Sequence, residues 1–548
     1  MTRTVLPIWD TLKSLGEQAL ATPINALFEQ DEQRQDRFSA ELESFYLDFS
    51  KQRLSNEGFD TLLQLAEDVQ LREQIQKLFS GERLNNTENR PALHTALRLP
   101  AGNPLLVEGE DLNRAVQETL QRVKLIVEKI HSKQWRGFSG KAITDVVNIG
   151  VGGSDLGPQM ACSALDEFTV EPAKSIRIHF VSSMDGTQIF DVLNTLNPET
   201  TLFIISSKSF TTVDTFYNAN TAIAWMQEAT RDLALVMQNH FIAVSAHPDR
   251  MSDWGVPESN QLPFWEWVGG RFSLWSSIGL SIAVKIGFDQ FRALLDGAHA
   301  MDQHFLNTPF ERNIPALMGL LGAWNATFLG CNAHTVLPYD GRLGLLPNYL
   351  TQLEMESNGK SVTKSGKTVP YDTCPILWGD IGPNAQHAFY QLLHQGTQSV
   401  ACDFIAPINR YHGSKKCEET SSQLRNQHTL ALANLLAQSR VLAFGNKAVS
   451  ATDEKDLHRI YNGNQASSVL LFNELNPFTL GGLIAIYEHK VFTMSVVWNI
   501  NPFDQWGVEL GKKMAKTLEA ALLNTDSEHP FDASTNQLLT KIKSERSS

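Results

Sequence analysis

Asp145-Val-Val-Asn-Ile-Gly-Val-Gly-Gly-Ser-Asp-Leu-Gly-Pro158 runs from an apolar strand into glycines and on into a helical pattern. Asp145-Val-Val-Asn-Ile reads as a buried strand, and two further strands follow at Ile176-Arg-Ile-His-Phe-Val-Ser and Leu202-Phe-Ile-Ile-Ser-Ser. Helical stretches separate them, and strands alternating with helices predict a parallel α/β sheet. The pattern then recurs. A helical region at 273–328 precedes a strand at Thr335-Val-Leu-Pro-Tyr, another strand reads at Cys402-Asp-Phe-Ile-Ala-Pro, and long helices are expected near 425–444 and 478–496. Two α/β domains of one fold type follow from this. Ahead of them, residues 1 to about 120 read as mainly helical, with apolar spacing such as Leu62, Leu63, Leu65 and Ala66. Residues 408–422 and 446–468 are polar and turn-rich and read as surface insertions. The polar tail from about 527 reads as an arm or a frayed end.

At 548 residues the chain is too long for one core. With 42% hydrophobic and 19% charged residues it has the composition of an ordinary globular protein. A net charge of −14 argues against nucleic acid or an anionic membrane as partner. It leaves room for a small anion, because a helix N-terminus binds phosphate inside an acidic protein. The five cysteines are widely spaced and form no Cys-x-x-Cys pair, which fits a reducing compartment and no zinc site. No signal peptide reads at the N-terminus, and no apolar run approaches the ~20 residues of a membrane span. The expected location is the cytoplasm.

Six candidates carry the chemistry. Gly150-Val-Gly152-Gly153-Ser154 lies where a strand meets a helix, so its amides can approach an anion; the plainer reading is a tight turn. It is neither a P-loop nor a complete dinucleotide fingerprint. Ser206-Ser207-Lys208-Ser209-Phe-Thr211-Thr212 also follows a strand, where hydroxyls either cap a helix or bind an anion. The pair points to a phosphorylated small molecule at the carboxyl ends of strands. Gly269-Gly270-Arg271 places an arginine before an apolar helix, with Leu274, Trp275, Ile278 and Ile282 expected on one face. Met355-Glu356-Ser357-Asn358-Gly359-Lys360 places a carboxylate in what reads as a loop, suited to proton abstraction. His387 is expected to begin a helix, which keeps neutral imidazole available. Lys512 sits in a helical pattern in which Glu509 and Lys513 are spaced as a pair, and nothing in that spacing makes it catalytic.

Together these segments resemble glucose-6-phosphate isomerase from about residue 48 to residue 515. The stretches 267–276 and 503–512 resemble that family's two signature regions, and Ser80-Gly-Glu82, Thr87-Glu-Asn-Arg90 and Leu93-His94 resemble its N-terminal region. The resemblance implies two sandwich domains of the sugar-isomerase (SIS) type: a smaller one at 121–290 and a larger one at 291–515. A helical segment at 1–120 packs on the larger, and a C-terminal helix and arm occupy 516–548. It implies reversible conversion of D-glucose 6-phosphate to D-fructose 6-phosphate through a cis-enediol, a step of glycolysis and gluconeogenesis, without metal or organic cofactor. Gly153, Ser154, Ser207, Lys208, Ser209 and Thr212 then line the phosphate site, with Gly270, Gln352 and Gln505 also on the substrate. Glu356 moves the proton between C2 and C1, Arg271 stabilises the enediolate, and His387 and Lys512 open the ring. The family is a homodimer whose histidine comes from the partner subunit. The chain departs from the family at Asp380, Ile381, Pro383 and Ala385, where Glu, Pro, Thr and Gly are usual. Ser209 and Asp214 stand for Thr and Glu, and 462–466 lacks a usual proline and arginine. A sugar-phosphate sensor without catalysis, or an isomerase of another hexose phosphate, are the competing readings.

Overall fold

Most of the N-terminal region is helical, including Ile8–Ala21, Asn56–Asp68 and Leu71–Ser80, but a hairpin interrupts it: β1 (Ser39–Leu42) and β2 (Phe45–Asp48). Phe45, Leu47 and Phe49 are buried while Tyr46 and Asp48 are only partly so, the period-two pattern of a strand with one face on the core. The computed structural model describes residues 6–411, 416–449, 456–523 and 531–546. Parts of the expected insertions and tail, at 412–415, 450–455 and 527–530, lie outside the described residues. Two compact units are distinguished, 1–502 and 503–548.

In the first unit, β3 (Asp145–Gly150), β4 (Arg177–Val181), β5 (Thr201–Ser206), β6 (Phe241–Ser245) and β7 (Gln261–Pro263) form a fully parallel sheet in the order β4-β3-β5-β6-β7. β3, β5 and β6 are buried at every position, which is why their sequences run apolar rather than alternate. The chain passes from β3 to β4 on one side and to β5 on the other. That reversal leaves a crevice at the carboxyl ends of β3 and β5, the place where open α/β sheets bind ligands. Helix α1 (Leu156–Ala164) follows β3, and α2 (Val213–Ala229) follows β5.

After α3 (Phe288–Asn307) and α4 (Ile314–Ala323), the second sheet is assembled from β8 (Ala333–Pro338), β9 (Ile376–Gly379), β10 (Val400–Pro407) and β11 (Ser467–Phe472). These four are parallel, and the N-terminal hairpin adds antiparallel to β11, giving β1-β2-β11-β10-β8-β9. Between β8 and β11 lie α5 (Leu346–Thr351), α6 (Gly382–Ala388) and α7 (Glu418–Phe444). The expected strands at 145, 176, 202, 335 and 402 and the two long helices are all present. β6, β7, β9 and β11 complete the sheets.

α8 (Pro477–Val497) passes through the core. It begins with a capping box in which Asn476 and Thr479 exchange side-chain and backbone hydrogen bonds. Its apolar residues surround the axis, the mark of a helix buried on all sides. α3 crosses it at two glycine notches. A methyl group on Gly297 would lie 1.8 Å from the Phe478 carbonyl oxygen, and one on Gly481 2.0 Å from that of Leu294. Among the described residues no helix is long and apolar enough to cross a membrane.

Candidate active site

The two turns expected to bind an anion leave neighbouring strands side by side, since Gly150 and Ser206 are register partners in β3 and β5. Asn148 ties the strand ends together: its amide donates to the Ser154 carbonyl (3.0 Å), and its oxygen accepts from Ser206 Oγ (3.2 Å). Gly152 has φ +59°, a conformation costly for any side chain bearing a β-carbon. Gly153 is demanded by packing, because a methyl group there would lie 2.0 Å from the Gly270 carbonyl oxygen and 2.7 Å from the Arg271 amide nitrogen. The first turn thus seats the segment that carries the arginine. In the second turn, Ser207 and Thr212 hydroxyls share a hydrogen bond of 3.0 Å, and Ser207 Oγ also accepts from the Phe210 amide (3.1 Å). Thr211 donates to Ser209 (2.9 Å), so the hydroxyls fold the turn itself. The Thr212 side chain does not cap α2, whose N-terminus opens onto this turn with its amides and its positive dipole end. Lys208 Nζ donates to the Glu266 carbonyl (2.7 Å) and lies 3.3 Å from the Glu266 carboxylate. Burial and the nearby Arg90 charge lower the lysine's pKa, and Glu266 opposes them.

Arg271 lies in a single turn of 3₁₀ helix, Gly270–Phe272, with 1% of its side chain exposed. The apolar residues behind it are buried, but on successive turns rather than on one helix face. The serines at 273, 276 and 277 divert backbone hydrogen bonds: Ser276 Oγ donates to the Ser273 carbonyl (2.7 Å) and accepts from the Ile278 amide (3.2 Å). The guanidinium donates Nε to Ser357 Oγ (2.6 Å) and Nη2 to the Pro502 carbonyl, and Nη1 lies 3.7 Å from Glu356 Oε2.

Glu356 is on a helix, not in a loop. Gln352–Glu356 continue α5 as a π turn, and Ser357 and Asn358 close it. The Ser-Asn-Gly run terminates the helix rather than replacing it. Lys360 caps it, donating Nζ to the carbonyls of Glu356 (3.1 Å), Ser357 (2.9 Å) and Asn501 (3.1 Å). Widened turns of this kind are uncommon and concentrate at functional sites. On this one, Gln352 Nε2 donates to Glu356 Oε2 (2.9 Å) and lies 2.9 Å from where a methyl group on Gly152 would be. One amide therefore joins the first of these turns to the carboxylate.

His387 falls in the last turn of α6, not at its start. Pro383 occupies the first turn, where no amide donor is needed, and Ala385 is an ordinary buried helical residue. The departures around His387 thus fit a helix without strain. His387 is exposed, and among the described residues it makes no hydrogen bond or ion pair with Glu356 or Arg271. Gln505 and Lys512 belong to the second unit. There Gln505 precedes a short 3₁₀ turn, and Lys512 is on α9 (Glu509–Leu523), 62% exposed and 3.6 Å from Glu509. α10 (Ala533–Arg546) completes that unit.

Asp155, next after Ser154, is 5% exposed with Oδ1 lacking a hydrogen-bond partner among the described residues. Burial raises its pKa to about 6. An acid raised in the folded state favours folding only while protonated, so its cost grows as pH climbs from the unfolded value of 3.8 through 6. Asp155→Asn is expected to stabilise the protein by about 2 kcal/mol above pH 7, the gain shrinking towards zero near pH 4. Thermal melts at pH 4 and pH 8 check this, and equal shifts at the two values contradict it.

Sequence reasoning passed over Ser357, Lys360 and Glu266 as structural partners of these groups. It also passed over Glu488-His-Lys490, whose charges stand out inside the apolar run of α8 and were legible there.

Residues 48–539 match the family described as phosphoglucose isomerase. The chain is 55% identical to a glucose-6-phosphate isomerase of Psychrobacter cryohalolentis over 98% of its own length and 96% of that protein's. It is 52% identical to glucose-6-phosphate isomerase 2 of Chromohalobacter salexigens over 97% of each. Among solved structures, a glucose-6-phosphate isomerase from Chlamydia trachomatis superposes with a TM-score of 0.85 at 31% identity, covering 96% of this chain and 98% of that one.

Proposed function

The chain belongs to the phosphoglucose isomerase family, and from that premise we propose that it interconverts D-glucose 6-phosphate and D-fructose 6-phosphate. The observation that carries this reading is the Glu356 carboxylate between the Gln352 amide and the Arg271 guanidinium, beside two anion-binding turns. The substrate phosphate binds the amides and hydroxyls of Gly153–Ser154 and Ser207–Thr212 at the N-terminus of α2. His387 and Lys512 open the ring, one removing the hydroxyl proton at C1 as the other protonates the ring oxygen. Glu356 then takes the C2 proton, and the electron pair moves through C1 onto the carbonyl oxygen. Arg271 faces that growing negative charge. Return of the proton to C1, with the C2 hydroxyl proton passing to the C1 oxygen, gives the ketose. Burial of Arg271 strengthens its effect, since a preorganised cation out of water needs no reorganisation as charge develops. Turnover of fructose 6-phosphate by the purified protein without added metal tests the reading. Tight binding without turnover would favour the sensor.

A homodimer sharing its sites is part of the proposal, as is a cytoplasmic location, which the free cysteines favour. The exposed His387 supports a site completed by a partner, and so do Leu392, Leu430 and Leu436, apolar side chains left in solvent on and near α7. Two individually inactive variants, His387→Ala and Glu356→Gln, are then expected to regain about a quarter of wild-type activity when co-expressed, because each mixed dimer carries one intact site. No recovery despite mixed dimers would contradict a shared site.

A further inference from the structure

α8 is buried at every residue but Phe478, yet it carries Glu488-His-Lys490 in its middle. Glu488 and His489 are occupied elsewhere. Arg98, wholly buried, donates to both oxygens of Asp302 (2.6 and 2.7 Å) and to Glu488 (2.6 Å), while His489 Nε2 lies 2.7 Å from Asp302. Lys490 points to a different partner. Its Nζ donates to Glu354 Oε2 at 2.7 Å, with both side chains 1% exposed. The other Glu354 oxygen is buried without a hydrogen-bond partner among the described residues, so the orientation of this carboxylate depends on Lys490.

Glu354 stands two residues before Glu356 on the same π turn. Side chains two apart on a helical turn face nearly opposite ways. The ion pair therefore holds the inner face of the turn whose outer face presents Glu356 to Arg271. One residue along α8, the Val491 carbonyl accepts from Asn358 Nδ2 (3.1 Å) and fixes the end of the same segment. Replacing a buried ion pair by apolar side chains of similar volume is often neutral or stabilising, so stability does not account for a lysine here. Register does. A turn that relaxed from π to α would rotate its outer face relative to the arginine.

We propose that Lys490 is a positioning residue for the isomerisation: through Glu354 it locks the widened turn in the register that aims Glu356 at the substrate. The proposal rests on the reading of Glu356 as the base. The test compares Lys490→Met, the charge-free pair Glu354→Met/Lys490→Met, and Glu356→Gln, with kcat, KM and melting temperature measured for each on fructose 6-phosphate. Both lysine variants are expected to lose about 10- to 100-fold in kcat, with KM within about threefold of wild type. The paired variant is expected to melt near the wild-type temperature, and it decides the matter should Lys490→Met fail to fold. A folded paired variant with kcat within about twofold of wild type, while Glu356→Gln is inactive, overturns the proposal. A fully active Glu356→Gln would instead remove the base assignment beneath it.

Discussion

Glu356→Gln is expected to lower kcat by about 10³-fold in both directions, with KM within a few-fold of wild type. The amide matches the carboxylate in size and can still accept from Gln352 Nε2, now 2.9 Å away. It cannot take up a proton at neutral pH, so the C2 proton has no acceptor. Phosphate binding should survive, because the turns after β3 and β5 do not depend on the charge at 356. A loss in kcat alone therefore separates the missing base from a damaged site. Steady-state rates from each hexose phosphate check this. Turnover unchanged by the substitution would leave the reaction standing and move the base elsewhere.

Arg271→Lys is the second large effect, with an expected loss of about 10²- to 10³-fold in kcat. Charge is conserved, so a role requiring only a cation predicts little change. The geometry predicts much more. The fork of the guanidinium serves Ser357, the Pro502 carbonyl and Glu356 simultaneously, with the side chain 1% exposed. A single ammonium on a flexible stem cannot reproduce that arrangement, and the partners it abandons are buried. Part of the cost falls on stability, which a melt reports separately. A variant that keeps a third of wild-type kcat would show that Arg271 holds the fold but does not face developing charge.

The strands were legible because β3, β5 and β10 are buried throughout, and β8 at every position but Ala333, and so run apolar. β7 and β9, of three and four residues, were too short to rise above their surroundings. The hairpin β1–β2 lay inside a helical region and was missed despite its alternation from Phe45 to Phe49. The local settings of Glu356 and His387 were misread. Ser357, Asn358 and Gly359 suggested a loop, since such residues usually break helices. Here the helix is kept by Lys360 on its last carbonyls and by a tertiary partner, the Val491 carbonyl on Asn358, which local propensity cannot report. His387 was placed at a helix start because the pattern to Gly396 looked continuous. The chain instead breaks at Phe389, which ends α6 and precedes a second short helix, Tyr390–Gln395.

The most direct test of the account follows the hydrogen that Glu356 is said to carry. Glucose 6-phosphate labelled with deuterium at C2 is converted in ordinary water, and the fructose 6-phosphate is examined for label at C1. A carboxylate that holds the proton between the two carbons predicts label divided between C1 and solvent, a primary isotope effect on kcat, and loss of both transfer and exchange in Glu356→Gln. Complete retention at C1 through repeated turnovers, with no exchange and an active Glu356→Gln, would contradict a base-carried proton and with it the site described above.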